Sequence, residues 1–453
     1  MSEASEESQE REIQEIQKSD TVTAHQPNYP EPDFEIEELR RLGPQGLGQQ
    51  QLLQLAAKEE AQSAAELEGL SRRELVARVL FARGRRGSLG MERGILEVRP
   101  EGFGFLRSVH HDYQSGADDI YISPNQIRRL HLRDGDEIVG ATRPPRGDEA
   151  YFALWRVDRV NGLPVRDLFR RVPFEDLTPV LPRQQLRLAH GDGDELLPLL
   201  ELLAPMALGH RVLIRVPPMF SAVGLLGALA EGVRHNHPEA RVLVLQVGER
   251  PEEQGEIRRR LQDHGRTEVC ACTFSEPTAR QVALGRFVLA RAQRLVETGQ
   301  DVVLILDSLT RLVHAHNMEV PHSGKIIGPD LDATALQQPK VLFGSARSAE
   351  EGGSLTVFAT VKQGPTVKQG HQIPRDQVIA EEFHDRANAE IVLQEELCER
   401  FGHVGIDVFR TRTRREDNPT DPARQQQLRS LRQDLLAATA ESGLEKLRER
   451  LSG

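Results

Sequence analysis

Residues 210–250, HRVLIRVPPMFSAVGLLGALAEGVRHNHPEARVLVLQVGER, have the pattern of a strand, a loop, a helix and a second strand. The first strand is a short apolar, largely β-branched run that ends at the pair Pro217-Pro218. Apolar residues then recur with the spacing of one helix face, and a second apolar run follows. A strand–helix–strand unit of this kind predicts a parallel sheet, with a ligand site at the carboxyl end of its first strand.

The loop after the first strand lies where a nucleotide-binding protein holds phosphates. In P-loop NTPases this loop reads G-x-x-x-x-G-K-[ST]. Here it reads VPPMFSAV. The position fits a phosphate site, but the glycine, the lysine and the hydroxyl residue that serve phosphate and magnesium are absent.

A series of further motifs follows one order along the chain. They are GFGFLRS (102–108), DDIYISPNQIRR (118–129), ERPEE (249–253), DSLTR (307–311), SGK (323–325), FGSAR (343–347) and EEGGSLT (350–356). Together, over about residues 67–417, they resemble the bacterial transcription termination factor Rho family. The resemblance implies a ring-shaped hexamer that binds single-stranded RNA, hydrolyses ATP with Mg²⁺, and acts on the RNA polymerase elongation complex.

The patterns and the resemblance predict a multidomain chain. It would contain a small N-terminal helical subdomain, an OB-type, cold-shock-like β-barrel that binds RNA, and a RecA-type α/β P-loop NTPase core. A capping box at Ser71-x-x-Glu74 marks one helix of the subdomain. The predicted segments are a disordered acidic tail (1–50), the helical subdomain (51–90), the barrel (91–165), a linker (166–209), the core (210–417) and a C-terminal helix (418–453).

The charge distribution limits how the chain can bind RNA. The net charge is −11, but the first 42 residues hold 12 acidic and four basic side chains, so the remainder is near neutral. An RNA site must therefore be a local patch. Three cysteines without metal-ligand spacing suit a reducing cytoplasm. No apolar run of about 18 residues occurs, so no membrane span is expected.

The motif GFGFLRS predicts the main RNA contact. Phe103 and Phe105 lie two residues apart and therefore on one face of a strand, where exposed rings stack with unpaired bases. Arg107 shares that face and would reach a phosphate or a base edge. By resemblance, the site also includes Asp119, Tyr121, Glu149 and Tyr151. A carboxylate there can accept a hydrogen bond from cytosine, which suits pyrimidine-rich RNA. The alternative is that the phenylalanines fill the barrel core.

A second RNA contact is expected in the pore of a ring. Ser323-Gly324-Lys325 resembles the loop that touches RNA there, and a lysine beside glycine suits a phosphate backbone. The other pore loop, residues 361–376, is longer than the segment of the family and contains VKQG twice. Lys362 and Lys368 in this loop are predicted to bind RNA; a solvated loop without RNA is the alternative.

Several residues of a hydrolytic site remain. The run LILD ends at Asp307, in the pattern that holds Mg²⁺ through its water shell. The resemblance aligns Glu249 with the carboxylate that activates water, and Arg414 with an arginine finger offered to a neighbouring subunit. Arg250 and Arg311 are the other basic residues assigned to the nucleotide site.

The phosphate-binding positions themselves are degenerate. They are Pro217, Pro218, Ser221, Ala222 and Val223. The last three replace the glycine, lysine and threonine of the family, and Met219 and Phe220 add bulk. No lysine lies between Lys58 and Lys325 to replace the missing one. Losing the lysine and the magnesium ligand together predicts hydrolysis lowered by several orders of magnitude.

Three functions remain open at this point. The first is a Rho-like RNA-binding hexamer that terminates or regulates transcription with impaired ATP turnover. The second is an active RNA-dependent ATPase and translocase with a rewired phosphate site. The third is a structural ring subunit. Phosphate release with and without pyrimidine-rich RNA separates them.

Overall fold

The computed structural model describes residues 34–40, 47–61, 63–87, 90–191, 196–218, 220–261, 265–363, 374–401 and 405–414, with 425–426, 429–430 and 433. The tail expected at 1–33 and nearly all of the helix expected at 418–453 lie outside these residues.

Residues 34–40, assigned by composition to the acidic tail, are folded. Strand β1 (Phe34–Glu35) pairs in parallel with the first barrel strand, β2 (Gly90–Val98), and helix α1 (Ile36–Arg40) follows. Ile36 and Leu39 are buried, and the buried Arg40 donates to Asp118 Oδ2 at 2.7 Å and to Glu92 at 2.5 Å. The expected disorder is therefore wrong for this segment, because apolar burial and a paired arginine offset its acidic composition.

Two helices form the small subdomain in front of the barrel. Helix α2 (Gln49–Glu60) packs against α3 (Arg72–Arg85). The predicted capping box is present, since Ser71 Oγ accepts from the Glu74 N–H and the Glu74 carboxylate accepts from the Ser71 N–H at 2.7 Å. Buried residues of both helices share one apolar cluster with the barrel.

The predicted barrel has five strands. They are β2, β3 (Gly104–Arg107), β4 (Ile120–Ile122), β5 (Glu137–Arg143) and β6 (Phe152–Val160). Hydrogen bonding runs in the order β2-β3-β4-β6-β5, and β5 pairs again with β2, so the sheet closes. Helix α4 (Pro124–Arg129) joins β4 to β5, and β7 (Leu163–Pro164) pairs with β6.

The segment between barrel and core packs on the core. Its elements are 3₁₀ turns at Val165–Arg170 and Phe174–Asp176, β8 (Pro179–Val180), β9 (Gln185–Leu186), α5 (Leu196–Leu203) and β10 (Met206–Ala207). Leu197 and Leu200 of α5 are fully buried against one face of the core sheet.

The core is an α/β domain around a mainly parallel sheet. Its strands are β11 (Arg211–Val216), β12 (Arg241–Glu249), β13 (Thr267–Thr273), β14 (Asp301–Asp307), β17 (Arg347–Ala349), β18 (Ser354–Lys362), β19 (Ala389–Val392) and β20 (Arg412–Thr413), with a separate hairpin of β15 (Ile326–Gly328) and β16 (Leu331–Asp332). Its helices are α6 (Val223–Asn236), α7 (Pro251–Leu261), α8 (Thr278–Val296), α9 (Leu309–Glu319), α10 (Gln337–Gly344), α11 (Arg375–His384) and α12 (Glu395–Phe401), with a 3₁₀ turn at Ala333–Leu336. The strand order is β13-β12-β14-β18-β11-β19-β20.

Alternating residues of the central strands fill two separate apolar layers. On β11, Leu213 belongs to one layer, while Val212 and Ile214 belong to the other. Helices therefore cover both faces, as the near-continuous apolar strands predict. The strands β11, β12, β14 and β18 are parallel, so their carboxyl ends lie at one edge of the sheet, where the nucleotide site was expected.

A buried arginine joins the barrel to the core. Arg291 of α8 is fully buried and donates to Glu137 of β5 at 2.5 Å and to Glu268 of β13 at 2.8 Å. The Tyr113 hydroxyl also donates to Glu268, at 2.7 Å. Burial alone would lower the pKa of Arg291, but the two carboxylates raise it above its usual value. The two domains are thus held together by a largely buried charged contact.

Candidate RNA-binding and nucleotide sites

Four aromatic side chains form one surface on the outside of the barrel. We call Phe103, Phe105, Tyr121 and Tyr151 the aromatic face. Neighbouring ring centroids in this set lie 5.0 to 6.1 Å apart, and each ring is half-buried. On the same strand, Leu106 is fully buried and fills the barrel interior. The alternative in which the phenylalanines form the core is therefore wrong.

Arg107 and Asp119 lie beside the aromatic face but are not available as predicted. Arg107 is buried, stacks 5.0 Å from the Phe105 ring centroid, and donates to Glu97 at 2.7 Å and to Asp119. Asp119 also accepts from the Gly116 N–H at 2.7 Å and from Arg73 at 2.9 Å. Burial raises the pKa of Asp119 despite these partners. We correct the expectation that both reach RNA directly: their polar atoms are used within the protein.

The two residues form part of a longer series of ion pairs. Arg73 of α3 bridges Asp118 and Asp119, and Asp118 also accepts from Arg40. We call Arg40, Asp118, Arg73, Asp119 and Arg107 the ion-pair relay. It connects the N-terminal segment to the edge of the aromatic face, and it fixes the strand that carries Phe105.

Glu149 lies in the exposed turn that precedes Tyr151. Its carboxylate accepts from Arg143 at 2.6 and 2.9 Å and from the Arg146 N–H at 2.9 Å. The hydrogen bonds from Arg143 lower the pKa of Glu149 to about 2. The carboxylate is therefore ionised at neutral pH and keeps an exposed side from which it can accept a further hydrogen bond.

The predicted pore loop with Lys325 is well defined. Ser323 Oγ and the Gly324 N–H donate to Asp332 at 2.8 and 2.9 Å, and Gly324 has a left-handed φ of +80°. Hydrogen bonds from Thr334 and Ser323 hold the pKa of Asp332 well below its usual range. Lys325 is exposed at the start of the β15–β16 hairpin. Lys368, predicted on the other pore loop, lies outside the described residues.

The phosphate loop, residues 217–222, follows β11 as the sequence predicts. Helix α6 begins directly after it, at Val223. Ala222 and Val223 are buried in the apolar layer, and no side chain caps the helix, apart from a long 3.5 Å contact of Ser221 Oγ with the Val223 N–H. The positions that carry a cation and a magnesium ligand in the consensus are thus part of the core.

Asp307 ends β14 beside the phosphate loop. It is almost fully buried, and Thr360 Oγ1 of β18 donates to it at 2.6 Å. Burial raises the pKa of Asp307, while the Thr360 hydroxyl and the Lys362 ammonium oppose that rise. Asp307 is the described residue best placed to hold Mg²⁺.

Glu249 lies at the end of the next strand and is already paired. The strand is irregular there: Gly248 has a φ of +67° and the pairing with β13 shifts between Val247 and Glu249. Such a bulge re-aims the following side chain. The buried Glu249 carboxylate forms an ion pair with Arg311 of α9, whose pKa is lowered by burial. Arg250 is exposed at the start of α7.

The structure moves Lys362 from the pore loop to the nucleotide site. Lys362 is the last residue of β18 and pairs in register with Val216, the residue before the phosphate loop. Its Nζ donates to the Phe220 carbonyl of that loop at 3.0 Å. Burial lowers the pKa of Lys362, while Asp307 and Glu253 raise it. The prediction that Lys362 lies in the pore loop is wrong, because Lys362 is still part of β18.

Arg414 lies at the opposite end of the sheet from the phosphate loop. Its backbone N–H donates to Asn388 at 2.9 Å, just before β19, and its exposed guanidinium donates to the carbonyls of His384, at 3.3 Å, and Asp385. Arg414 is therefore remote from the nucleotide site of its own chain.

Comparison with known proteins assigns the two domains. Residues 92–166 match the family described as the Rho termination factor RNA-binding domain, and residues 197–410 match the nucleotide-binding domain of the ATP synthase alpha/beta family. A transcription termination factor Rho of Rhodopirellula baltica is 41% identical over 399 residues, which cover 88% of this chain and 76% of that protein. The chain belongs to the Rho transcription termination factor family. A Rho of Haemophilus influenzae is also 41% identical, over 79% of this chain and 84% of its own length.

The Rho-family assignment agrees with the fold. A solved ATPase of a bacterial type III secretion system superposes with a TM-score of 0.50 at 20% identity, over 65% of this chain and 78% of that one. This likeness concerns the α/β fold alone. Within the described ranges, no helix is both long and apolar enough to cross a membrane.

Sequence reasoning missed two features of this Rho-family chain. It did not find the ion-pair relay, because Arg40 and Arg73 lie far along the chain from the aspartates that they bind. It also did not bring Lys362 to the phosphate loop, 142 positions away. The strand pattern of residues 354–362 was the available signal, since strands adjacent in a parallel sheet end at one edge.

Proposed function

We propose that this Rho-family protein binds single-stranded, pyrimidine-rich RNA as a hexameric ring in the cytoplasm, and that its ATP hydrolysis is impaired. The aromatic face carries the RNA part of this proposal. Termination through the RNA polymerase elongation complex follows from the name of its relatives, transcription termination factor Rho.

The aromatic face suits unpaired bases. Its rings are held by their neighbours in edge-on or tilted contacts, yet each keeps part of its surface open. Base stacking on such rings is worth about 1–3 kcal/mol per base. The ion-pair relay positions the face, and the ionised Glu149 offers an acceptor for the amino group of cytosine.

Replacing Phe103 and Phe105 together by alanine is expected to weaken binding to a C-rich single strand at least about tenfold, because two stacking surfaces are lost. Fluorescence anisotropy measures this affinity. Phe274→Ala is the matched control, since Phe274 is an exposed phenylalanine of the core domain. Equal affinity of the double variant and the control, with unchanged thermal stability, would refute RNA binding by the aromatic face.

Impaired hydrolysis is supported by two features of the nucleotide site. Val223 provides no oxygen for Mg²⁺, so the metal would depend on Asp307 and on the nucleotide itself. Glu249 is ion-paired with Arg311, which reduces its capacity to take a proton from water. Loss of one charged stabiliser costs about 3–4 kcal/mol at a transition state. We expect phosphate release well below 1 per second, with or without RNA.

The second candidate, an active RNA-dependent ATPase, is favoured by one observation. Asp307 and Glu249 lie at the ends of neighbouring strands, with Asp307 in register with Gln246. The two carboxylates that the resemblance assigns to hydrolysis therefore lie at the same edge of the sheet, which supports this candidate. A rate of phosphate release near 1 per second or faster, stimulated by RNA, would establish this candidate and exclude the first.

Arg414 cannot reach the phosphate loop of its own chain. It can act as an arginine finger only on a neighbouring subunit of a ring. We expect a hexamer or an open ring at micromolar concentration, which sedimentation velocity measures. If the protein is a hexamer, Arg414→Ala should alter nucleotide-dependent assembly more than Arg412→Ala, since Arg412 is an exposed residue of β20 just before it. A strict monomer, even with RNA bound, contradicts this prediction.

A further inference from the structure

Lys362 reaches the phosphate loop from the strand beside it. The lysine of a P-loop follows the last glycine of the loop and lies next to the start of the helix. In this chain that position is the buried Ala222. The register of β11 and β18 places Lys362 next to Val216, and the Gln363 N–H then donates to the Val216 carbonyl at 2.8 Å. The base of the Lys362 side chain is therefore fixed at the mouth of the site.

The Lys362 ammonium lies between the phosphate loop and the carboxylate of Asp307. Nζ donates to the Phe220 carbonyl at 3.0 Å, and it interacts electrostatically with Asp307. Three other charged groups are close enough to act on it electrostatically: Glu253, Arg311 and Arg250. The backbone N–H of Lys362 donates to Thr310 Oγ1 at 2.9 Å, which ties the strand end to α9.

We propose that Lys362 replaces the lost P-loop lysine and binds the phosphate end of a nucleoside di- or triphosphate. This inference rests on the proposed function, because it concerns the nucleotide site of a Rho-family chain. It assigns nucleotide binding, but not ATP hydrolysis, to the phosphate loop together with Lys362.

The hydrogen bonding of Lys362 favours a phosphate ligand over a purely structural role for the ammonium group. An ammonium group has three N–H donors. Among the described residues, its hydrogen-bond acceptor is the Phe220 carbonyl, so two donors remain for phosphate oxygens. Arg311 and Arg250 add positive potential at Lys362, while Asp307 and Glu253 add negative potential. Lysine binds phosphate as a point charge and does not need the planar geometry that arginine requires.

The same arrangement explains how the site can bind a nucleotide without hydrolysing it efficiently. Lys362 restores a charge, but it restores neither the glycine-based N–H groups of the loop nor the threonine oxygen for Mg²⁺. A nucleotide held in this way would act as a structural or regulatory ligand of the ring.

The test compares phosphate-dependent binding in the full chain. Isothermal titration with MgADP and with adenosine gives the part of the affinity that the phosphates provide. We expect the natural protein to prefer MgADP at least tenfold over adenosine, Lys362→Met to abolish that preference, and Lys362→Arg to keep most of it. Lys340→Met is the matched control, since Lys340 pairs with Glu382 at 2.6 Å elsewhere on the core, and should leave the preference unchanged.

Two results would overturn the inference. One is that the natural protein does not bind MgADP at millimolar concentration. Lys362 would then fill the nucleotide site instead of binding phosphate. The other is equal MgADP preference in Lys362→Met and the natural protein. RNA affinity, measured on the same samples, reports separately on the proposed function. If Lys362→Met unfolds, amine acylation of the natural protein read by mass spectrometry decides: MgADP must protect Lys362 and not Lys340, and equal labelling refutes the inference.

Discussion

Rebuilding the phosphate loop is expected to raise RNA-stimulated ATP hydrolysis at least about 100-fold over the natural chain. The variant carries Ser221→Gly, Ala222→Lys and Val223→Thr, with Met219→Lys and with Phe220→Ala to remove bulk. It also carries Lys362→Leu, which removes the ammonium group that now donates to the carbonyl of residue 220. Asp307 and Glu249 would then act on an oriented γ-phosphate.

Phosphate release under saturating pyrimidine-rich RNA measures this gain. The same variant with Asp307→Asn is the control and should remain at the level of the natural chain. If the natural chain already hydrolyses ATP near 1 per second, the impaired-site proposal is wrong. If the rebuilt chain binds ATP but stays inert, the defect lies beyond the loop, at the Glu249–Arg311 pair or at the subunit interface that Arg414 is proposed to serve.

Replacing Arg291 by methionine is expected to lower the free energy of unfolding by about 3–5 kcal/mol at neutral pH. The change leaves the buried Glu137 and the largely buried Glu268 without their shared cation, between the barrel and the core. Urea denaturation, followed at fixed protein concentration, measures the loss. Because the contact joins two domains, the barrel and the core of the variant should also unfold in separate urea transitions instead of a common one.

Arg266→Met is the matched control for this experiment. Arg266 pairs with Glu239 at 2.8 Å, but its side chain is 45% exposed and that of Glu239 is 87% exposed. An exposed pair of this kind contributes at most about 1 kcal/mol. Equal effects of the two substitutions would show that the Arg291 contact does not couple the domains.

The alternation of residues along strands predicted the barrel and its outer face correctly. Phe105 of β3 and Phe103, just before that strand, share one side because side chains alternate, and Leu106 faces the interior. The βαβ pattern likewise located the phosphate loop after β11. These features depend on local periodicity and on motif order, both of which a single sequence displays.

The features that the sequence did not predict depend on contacts between distant segments. Composition placed residues 34–40 in a disordered tail, yet Ile36 is buried against the barrel. The free charge expected on Arg107 is taken up by Glu97 and Asp119. Likewise, Lys362 had no visible relation to the phosphate loop until the strand order made β18 the neighbour of β11. Pairing partners of this kind are set by tertiary packing, which periodicity does not encode.

The ion-pair relay also determines how far this protein can be shortened from its N-terminal side. A shortened chain designed from composition would begin near residue 50 and lose Arg40, which leaves Asp118 and Glu92 buried with one cation fewer. Asp118 holds Arg73, which holds Asp119 and through it the arginine beside Phe105. The smallest autonomous RNA-binding fragment therefore starts no later than residue 34, within a stretch that expression designs would discard as a dispensable leader.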